Sequence, residues 1–286
     1  MRLCVTADLH FDNRRSFGTA VELAHQLNDT PFDVLLIIGD VGNGDDPALI
    51  DGLSRFTHPG PKLFVPGNHE LWTRRDSSLH LLHNELPRKV IDAGWTWLPG
   101  APFMQDDVAI VGSLGWYDYS FAADYLQIPR RFYEAKVSPG FAGGRDEFAH
   151  LFEQQEDIAD LARHVVGRWN DGKFVKLPMP DDRFCDMLLD QLERDLDRVS
   201  SAKHIIAAIH HVPIPELLPP LKTPTWDFAR AYLGSPRFGQ LLLQKPSVRH
   251  ILCGHSHHPA EHTHRQVRCI NIGSGYAAKT HLLLEL

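Results

Sequence analysis

The residues best suited to chemistry in this chain fall into five short polar clusters. In chain order they are Asp8-Leu9-His10, Gly39-Asp40, Gly67-Asn68-His69-Glu70, His210-His211 and Gly254-His255-Ser256-His257. Each closes an apolar, strand-like run, at residues 3–7, 34–38, 63–66, 205–209 and 251–253. Imidazole nitrogens combined with carboxylate or amide oxygens form a borderline-to-hard donor set, suited to manganese, iron or zinc. A carboxylate shared by two such ions can hold them about 3.5–4 Å apart, the spacing used for in-line displacement at phosphorus. Gly39, Gly67 and Gly254, each just before a candidate donor, would let the backbone turn sharply or approach a metal closely. Any one cluster is weak evidence, because Asp-x-His and Gly-Asp arise by chance. Five of them in order, each ending a strand, are specific.

Loops that converge in this way need a scaffold. Apolar runs recur at residues 3–6, 34–38, 63–65, 108–111, 204–209, 249–253, 267–272 and 282–286. The nearly continuous apolar character of most of them predicts buried strands rather than half-exposed ones. Helical patterns at residues 19–27 and 47–56 lie between the early runs, which argues for layered α/β architecture. In open α/β sheets, sites gather beyond the carboxyl ends of the strands, where these clusters stand. The later strands have less helix between them and predict a second, more antiparallel sheet.

Residues 116–200 break the rhythm. They open with Trp116-Tyr117-Asp118-Tyr119 and continue through a loop rich in Pro, Gly and Arg as far as Arg145. Two long amphipathic helices are then expected. The first carries Phe148, Phe152, Ala159, Ala162 and Val166; the second carries Phe184, Leu188, Leu192, Leu196 and Val199 behind an N-cap at Asp181 or Asp182. This stretch reads as a helical insertion within a single domain spanning residues 1–286, either a cap over the site or a buttress away from it. Its candidate substrate contacts are Trp116, Tyr117, Arg130 and Arg131. The competing reading is core packing for the aromatics and a solvated surface for the arginine pair.

Composition narrows the partners. A net charge of -7, from 29 Lys+Arg against 36 Asp+Glu, is no footprint for tight, sequence-blind binding to a long polyanion. The 18 histidines point instead to metal chemistry. Four cysteines without a C-x-x-C pair predict free, buried thiols rather than a disulfide framework. No apolar run approaches the roughly 20 residues that span a bilayer, and the start lacks a signal-peptide pattern. The expectation is a cytoplasmic protein with no membrane partner.

The series Asp8-x-His10, Gly39-Asp40, Gly67-Asn68-His69-Glu70, His210 and Gly254-His255-x-His257 resembles the full motif set of the calcineurin-like metallophosphoesterases. Asn271-Ile272-Gly273-Ser274 is similar to the strand-turn that follows the last motif in that family. The resemblance implies a four-layer αββα sandwich of two mixed β-sheets flanked by helices, and two divalent or trivalent ions, manganese with iron or zinc as alternatives. It implies that Asp8, His10, Asp40 and His257 hold the first ion. Asp40 would bridge to a second, completed by Asn68, His210 and His255. It also implies that His69 contacts the substrate phosphate and protonates the leaving group, while Glu70 orients the surrounding loop. His210 is preferred to His211 because the family's ligand is the first histidine of such a pair. Asn43 stands where the family's protein phosphatases carry the aspartate of Asp-Arg-Gly, which argues against a phosphoprotein substrate. His258, His262 and His264 are expected at the surface or in supporting roles. The expected activity is hydrolysis of a phosphate ester, foremost a phosphodiester, of a small molecule or a nucleic acid. A nuclease acting on DNA or RNA is the alternative and would show a basic groove. A non-catalytic scaffold would show eroded donors, and every donor position here is filled.

Overall fold

The computed structural model describes residues 1–286. Eleven strands form two sheets. They are β1 (Arg2–Thr6), β2 (Val34–Ile38), β3 (Lys62–Val65), β4 (Thr96–Trp97), β5 (Phe103–Gln105) and β6 (Val108–Ser113), followed by β7 (His204–Ile209), β8 (Val248–Cys253), β9 (Ala260–His264), β10 (Val267–Asn271) and β11 (His281–Glu285). The first sheet has the order β11-β1-β2-β3-β4, and only β11 runs antiparallel to its neighbour. The second has the order β5-β6-β7-β8-β10-β9.

Alternation along each strand builds the layers. Leu3, Val5, Leu36, Ile38, Leu63 and Val65 from the first sheet meet Ile110, Ile206, Ala208, Leu252 and Ile270 from the second in a buried apolar layer. The intervening residues point outward under helices. Cys4, Leu35, Ile37 and Phe64 share a core with Ala20, Leu23, Ala24 and Leu27 of the helix Phe17–Asn28. On the far side, Ala109, Val111, Ile205, Ala207 and Ile251 lie under Leu188, Leu192 and Leu196 of the helix Asp181–Arg198 and Phe238 and Leu242 of the helix Pro236–Leu243. The result is helix, sheet, sheet, helix, with both sheets mixed.

Three expectations change. The second sheet is parallel through β6, β7, β8 and β10, and antiparallel only at its edges β5 and β9. Helices Asp181–Arg198 and Pro236–Leu243 supply the crossovers that parallel pairing needs. The first long helix expected after Phe148 is instead a 3-10 stretch, Asp146–Phe152, and a separate short helix, Asp160–His164. Arg131 explains the break: its guanidinium donates to the carbonyls of Leu151 and Gln154 and to the Asp157 carboxylate, taking acceptors a continuous helix would use. The second expected helix is present, but Pro180, not Asp181 or Asp182, precedes it. The Asp181 side chain is turned inward, where it accepts from Trp116 Nε1 at 2.8 Å, from Lys136 Nζ at 2.5 Å and from the Tyr119 hydroxyl.

Candidate metal centre

The loops after β1, β2 and β3 in one sheet and after β7 and β8 in the other meet at a single edge of the sandwich. They are tied together beyond their strands by main-chain bonds: Asp8 N–H to Gly39 O at 3.0 Å, His10 N–H to Asp40 O at 2.8 Å, and Gly254 N–H to His210 O at 3.1 Å. Glu70 gathers two loops at once. Its fully buried carboxylate accepts from the backbone N–H groups of Asp40, Val41, Gly42 and Gly67 at 2.6–3.2 Å. Gly39 and Gly67 admit this crowding. Gly39 has φ +73°, and a Cβ on Gly67 would run into the Asp40 carboxylate.

Asp8, His10, Asp40 and His257 each bring a potential donor atom within 4.8 Å of the others, as do Asp40, His210 and His255, so Asp40 belongs to both groups. Asp40 Oδ2 lies 3.8 Å from His10 Nε2, and its Oδ1 lies 3.4 Å from His210 Nε2. His257 Nε2 is 3.1 Å from His10 Nε2 and 3.6 Å from Asp8 Oδ1. The imidazoles are oriented from behind. His210 Nδ1 faces the Ile38 carbonyl at 2.9 Å and His255 Nε2 faces the Tyr232 carbonyl at 3.1 Å. Each ring therefore presents its other nitrogen to the centre. Asn68 Nδ2 donates to Asp171 at 2.9 Å, which leaves Asn68 Oδ1 as the free end of the amide.

Asn68 Oδ1 and His210 Nε2 are buried and have no hydrogen-bond partner. Abandoned polar atoms of this kind cost about 1–3 kcal/mol each, and a cation would satisfy both. Electrostatics point the same way. Burial pushes His10 and His255 well below the usual histidine range and His257 down to about 4, so these rings are neutral, as ligands must be. Burial pushes Asp8 up to about 7. Burial also works against Asp40, but His210, His69 and His10 hold it well below the carboxylate range. Burial lowers His210 too, yet Asp40 prevails and raises it to about 9. In the bare chain, a proton on His210 does for Asp40 what a cation would do. The backbone adds a further mark: Asp8, His10, Asp40, His255 and His257 have φ of 56°, 48°, 54°, 67° and 53°, the left-handed region that non-glycine residues avoid.

Comparison with known proteins decides the family. The model of the calcineurin-like phosphoesterases matches residues 1–259, nine-tenths of the chain. The chain belongs to the calcineurin-like phosphoesterases. No curated protein sequence matches it significantly. Among solved structures, it resembles the phosphopantetheinyl hydrolase of Mycobacterium tuberculosis with TM-score 0.65 and 18% identity, over 96% of this chain and 89% of that one. It also resembles a dimetal phosphatase from Danio rerio with TM-score 0.52 and 14% identity, over 99% and 91%. At such identities the likeness is one of fold.

In this phosphoesterase, a cleft of about 180 Å³ opens over the donors, floored by Asp40, Asn68, His69, His255 and His257 and walled by Trp72, Arg168, Trp169, Asn170 and Tyr276. His69 is partly exposed there, its ring stacked on Trp72 at 3.7 Å and its backbone N–H on Asp40 Oδ1 at 3.0 Å. His211 turns away, with Nδ1 against the Leu114 carbonyl and its ring among Trp116, Tyr117 and His255. His262 and His264 lie on β9, the polar edge strand, and His258 on the half-exposed turn before it.

The expected substrate contacts are placed elsewhere. Trp116 and Tyr117 are fully buried, with Trp116 Nε1 on Asp181 and the Tyr117 hydroxyl on Asp171, so neither face is open to a solute. Arg130 pairs with Glu134 and Asp182, and Arg131 with Asp157; neither lines the cleft. Sequence reasoning missed the walls Trp72, Arg168, Trp169 and Tyr276. It also missed Asp12, which reaches within 4.8 Å of His10 and His69 with one buried oxygen unpaired, and Lys279, whose ammonium donates to the Asp8 carbonyl. Trp72 and Asp12 each stand two residues beyond a motif, and that proximity was the only signal available.

Proposed function

We propose that this phosphoesterase is a dinuclear metal-dependent phosphodiesterase. Asp8, His10, Asp40 and His257 would hold one cation, and Asp40, Asn68, His210 and His255 the other. The observation that carries this reading is Asp40, whose two oxygens face two separate donor groups. Two cations so held would supply an activated water at neutral pH and neutralise charge growing on the phosphoryl oxygens. His69, on the cleft floor and packed on Trp72, receives the phosphate and delivers a proton to the departing oxygen. Trp72, Trp169 and Tyr276 shield the reacting group from water and pack on the ester's apolar parts.

The diester preference rests on the absence of Asp-Arg-Gly after Asp40 and on a narrow cleft with aromatic walls, which fits a small esterified group better than a protein surface. The hollow that shares Trp72 with the cleft carries Asp45 and Asp46 beside Arg74, a lining that does not favour a polyanion there. Manganese is the first cation to supply, with iron and zinc as comparisons. The purified chain should bind two cations and hydrolyse an aryl phosphodiester with higher kcat/KM than a phosphopeptide. A phosphopantetheinyl ester belongs in the same panel, since the Mycobacterium tuberculosis structure is named for that group. Preference for the phosphopeptide would overturn the diester reading.

A further inference from the structure

An asparagine is an ambiguous metal ligand, because its oxygen coordinates and its NH₂ group repels a cation. Rotation by a half-turn exchanges the two. In this chain the choice is made by Asp171, 103 residues further on. We propose that Asp171 is a positioning residue that fixes the polarity of Asn68 and so creates the oxygen donor of the second cation; this inference rests on the two-cation reading above.

A carboxylate only accepts, so Asp171 Oδ1, 2.9 Å from Asn68 Nδ2, tolerates the amide in one orientation alone. Asp171 is itself immobilised. It is 1% exposed, and Oδ1 also accepts from Trp72 Nε1 at 2.7 Å. Its Oδ2 accepts from Trp169 Nε1 at 2.7 Å and from the Tyr117 hydroxyl at 3.1 Å. All four donors are neutral, and no Lys, Arg or His forms an ion pair with it. Buried carboxylates are rare without a cationic partner. A cation held by Asn68 would give this carboxylate a counterpart one side chain away. The same carboxylate sets the two indoles that wall the cleft, one of which packs on His69. The segment that departs from the α/β rhythm thus supplies a part of the centre that no motif carries.

The test measures cation binding directly, by chelator competition and elemental analysis with Mn²⁺. The Asp171→Asn variant should keep the first cation and bind the second about 10–100-fold more weakly, the usual scale for losing a group that orients a ligand. Tyr117→Phe, which removes a donor from the opposite oxygen, should keep both cations at wild-type affinity. On an Asn68→Ala background, Asp171→Asn should cause no further loss. If Asp171→Asn will not fold, Asp171→Ser, which leaves room for a water, takes its place. On the unaltered chain, one Asn68 amide proton should resonate strongly downfield with or without metal. Wild-type affinity in the Asp171 variants, additive losses in the double variant, or an unshifted Asn68 amide would overturn the inference. A wild-type chain that binds fewer than two cations would overturn the underlying reading instead, and would be seen before any variant is made.

Discussion

His69 differs from its neighbours in the cluster because its ring is stacked on an indole while it stays partly open to the cleft. Under the proposed function its role is to move a proton, although with His10 and Asp12 it also forms a group able to hold a cation. His69→Ala should therefore retain the cations and lose about 10²–10⁴-fold in kcat, with the loss shrinking for leaving groups that need no proton. Equal losses for good and poor leaving groups would leave it a phosphate contact only. Asn43 cannot give this histidine a carboxylate, and Asp12 is placed to do so from the loop after β1, with one buried oxygen unpaired. Asp12→Asn should reproduce the leaving-group pattern of His69→Ala at about one-tenth of its size; a leaving-group-independent loss would assign Asp12 to cation binding. Residue chemistry of this kind was legible where a donor type coincided with a strand end, as at Asp8, Asp40 and His255. Asp171 was not, because its value depends on contacts with Asn68, Trp72 and Tyr117 that no local spacing encodes.

At the scale of elements, all eight apolar runs became strands, and most are buried on both faces, though the edge strand β11 is only partly covered. The short strands β4 and β5 and the polar edge strand β9 went unread, because few or no apolar residues mark them. The helix expected after Phe148 failed for a nonlocal reason: Arg131 captures its carbonyls from another segment. A second nonlocal pair joins β7 to β8, where the stacked rings of His204 and His250 share a hydrogen bond of 2.9 Å. Burial, reinforced by His204, pushes His250 down to about 4. A histidine lowered in the folded state contributes stability above its unfolded value near 6.5 that is lost as pH falls toward 4. The fold should thus weaken by about 1 kcal/mol over this window, after allowance for screening at a partly exposed ring. His250→Phe should remove that part of the acid sensitivity. An unchanged melting profile between pH 6.5 and 4 in the variant would show that the pair does not matter.

Across the whole molecule, the two sheets enclose one apolar layer, and the site lies where loops from both sheets meet. Stability and site are therefore built by the same packing but pull on the chain differently. Asp8, His10, Asp40, His255 and His257 sit in left-handed conformations, each costing roughly 1 kcal/mol relative to glycine. With the cations stripped by chelator, Asp40→Gly should melt about 2 °C above Asp40→Ala, although both lose the two metals. Equal melting temperatures would mean that the turn is unstrained. The consequence reaches beyond the test tube. A lineage that had lost both the cations and the hydrolysis would relieve one strained turn with each donor it exchanged for glycine, so the backbone would favour decay of the site. Five Asp and His residues held in this posture are strain that a bound cation pair would offset.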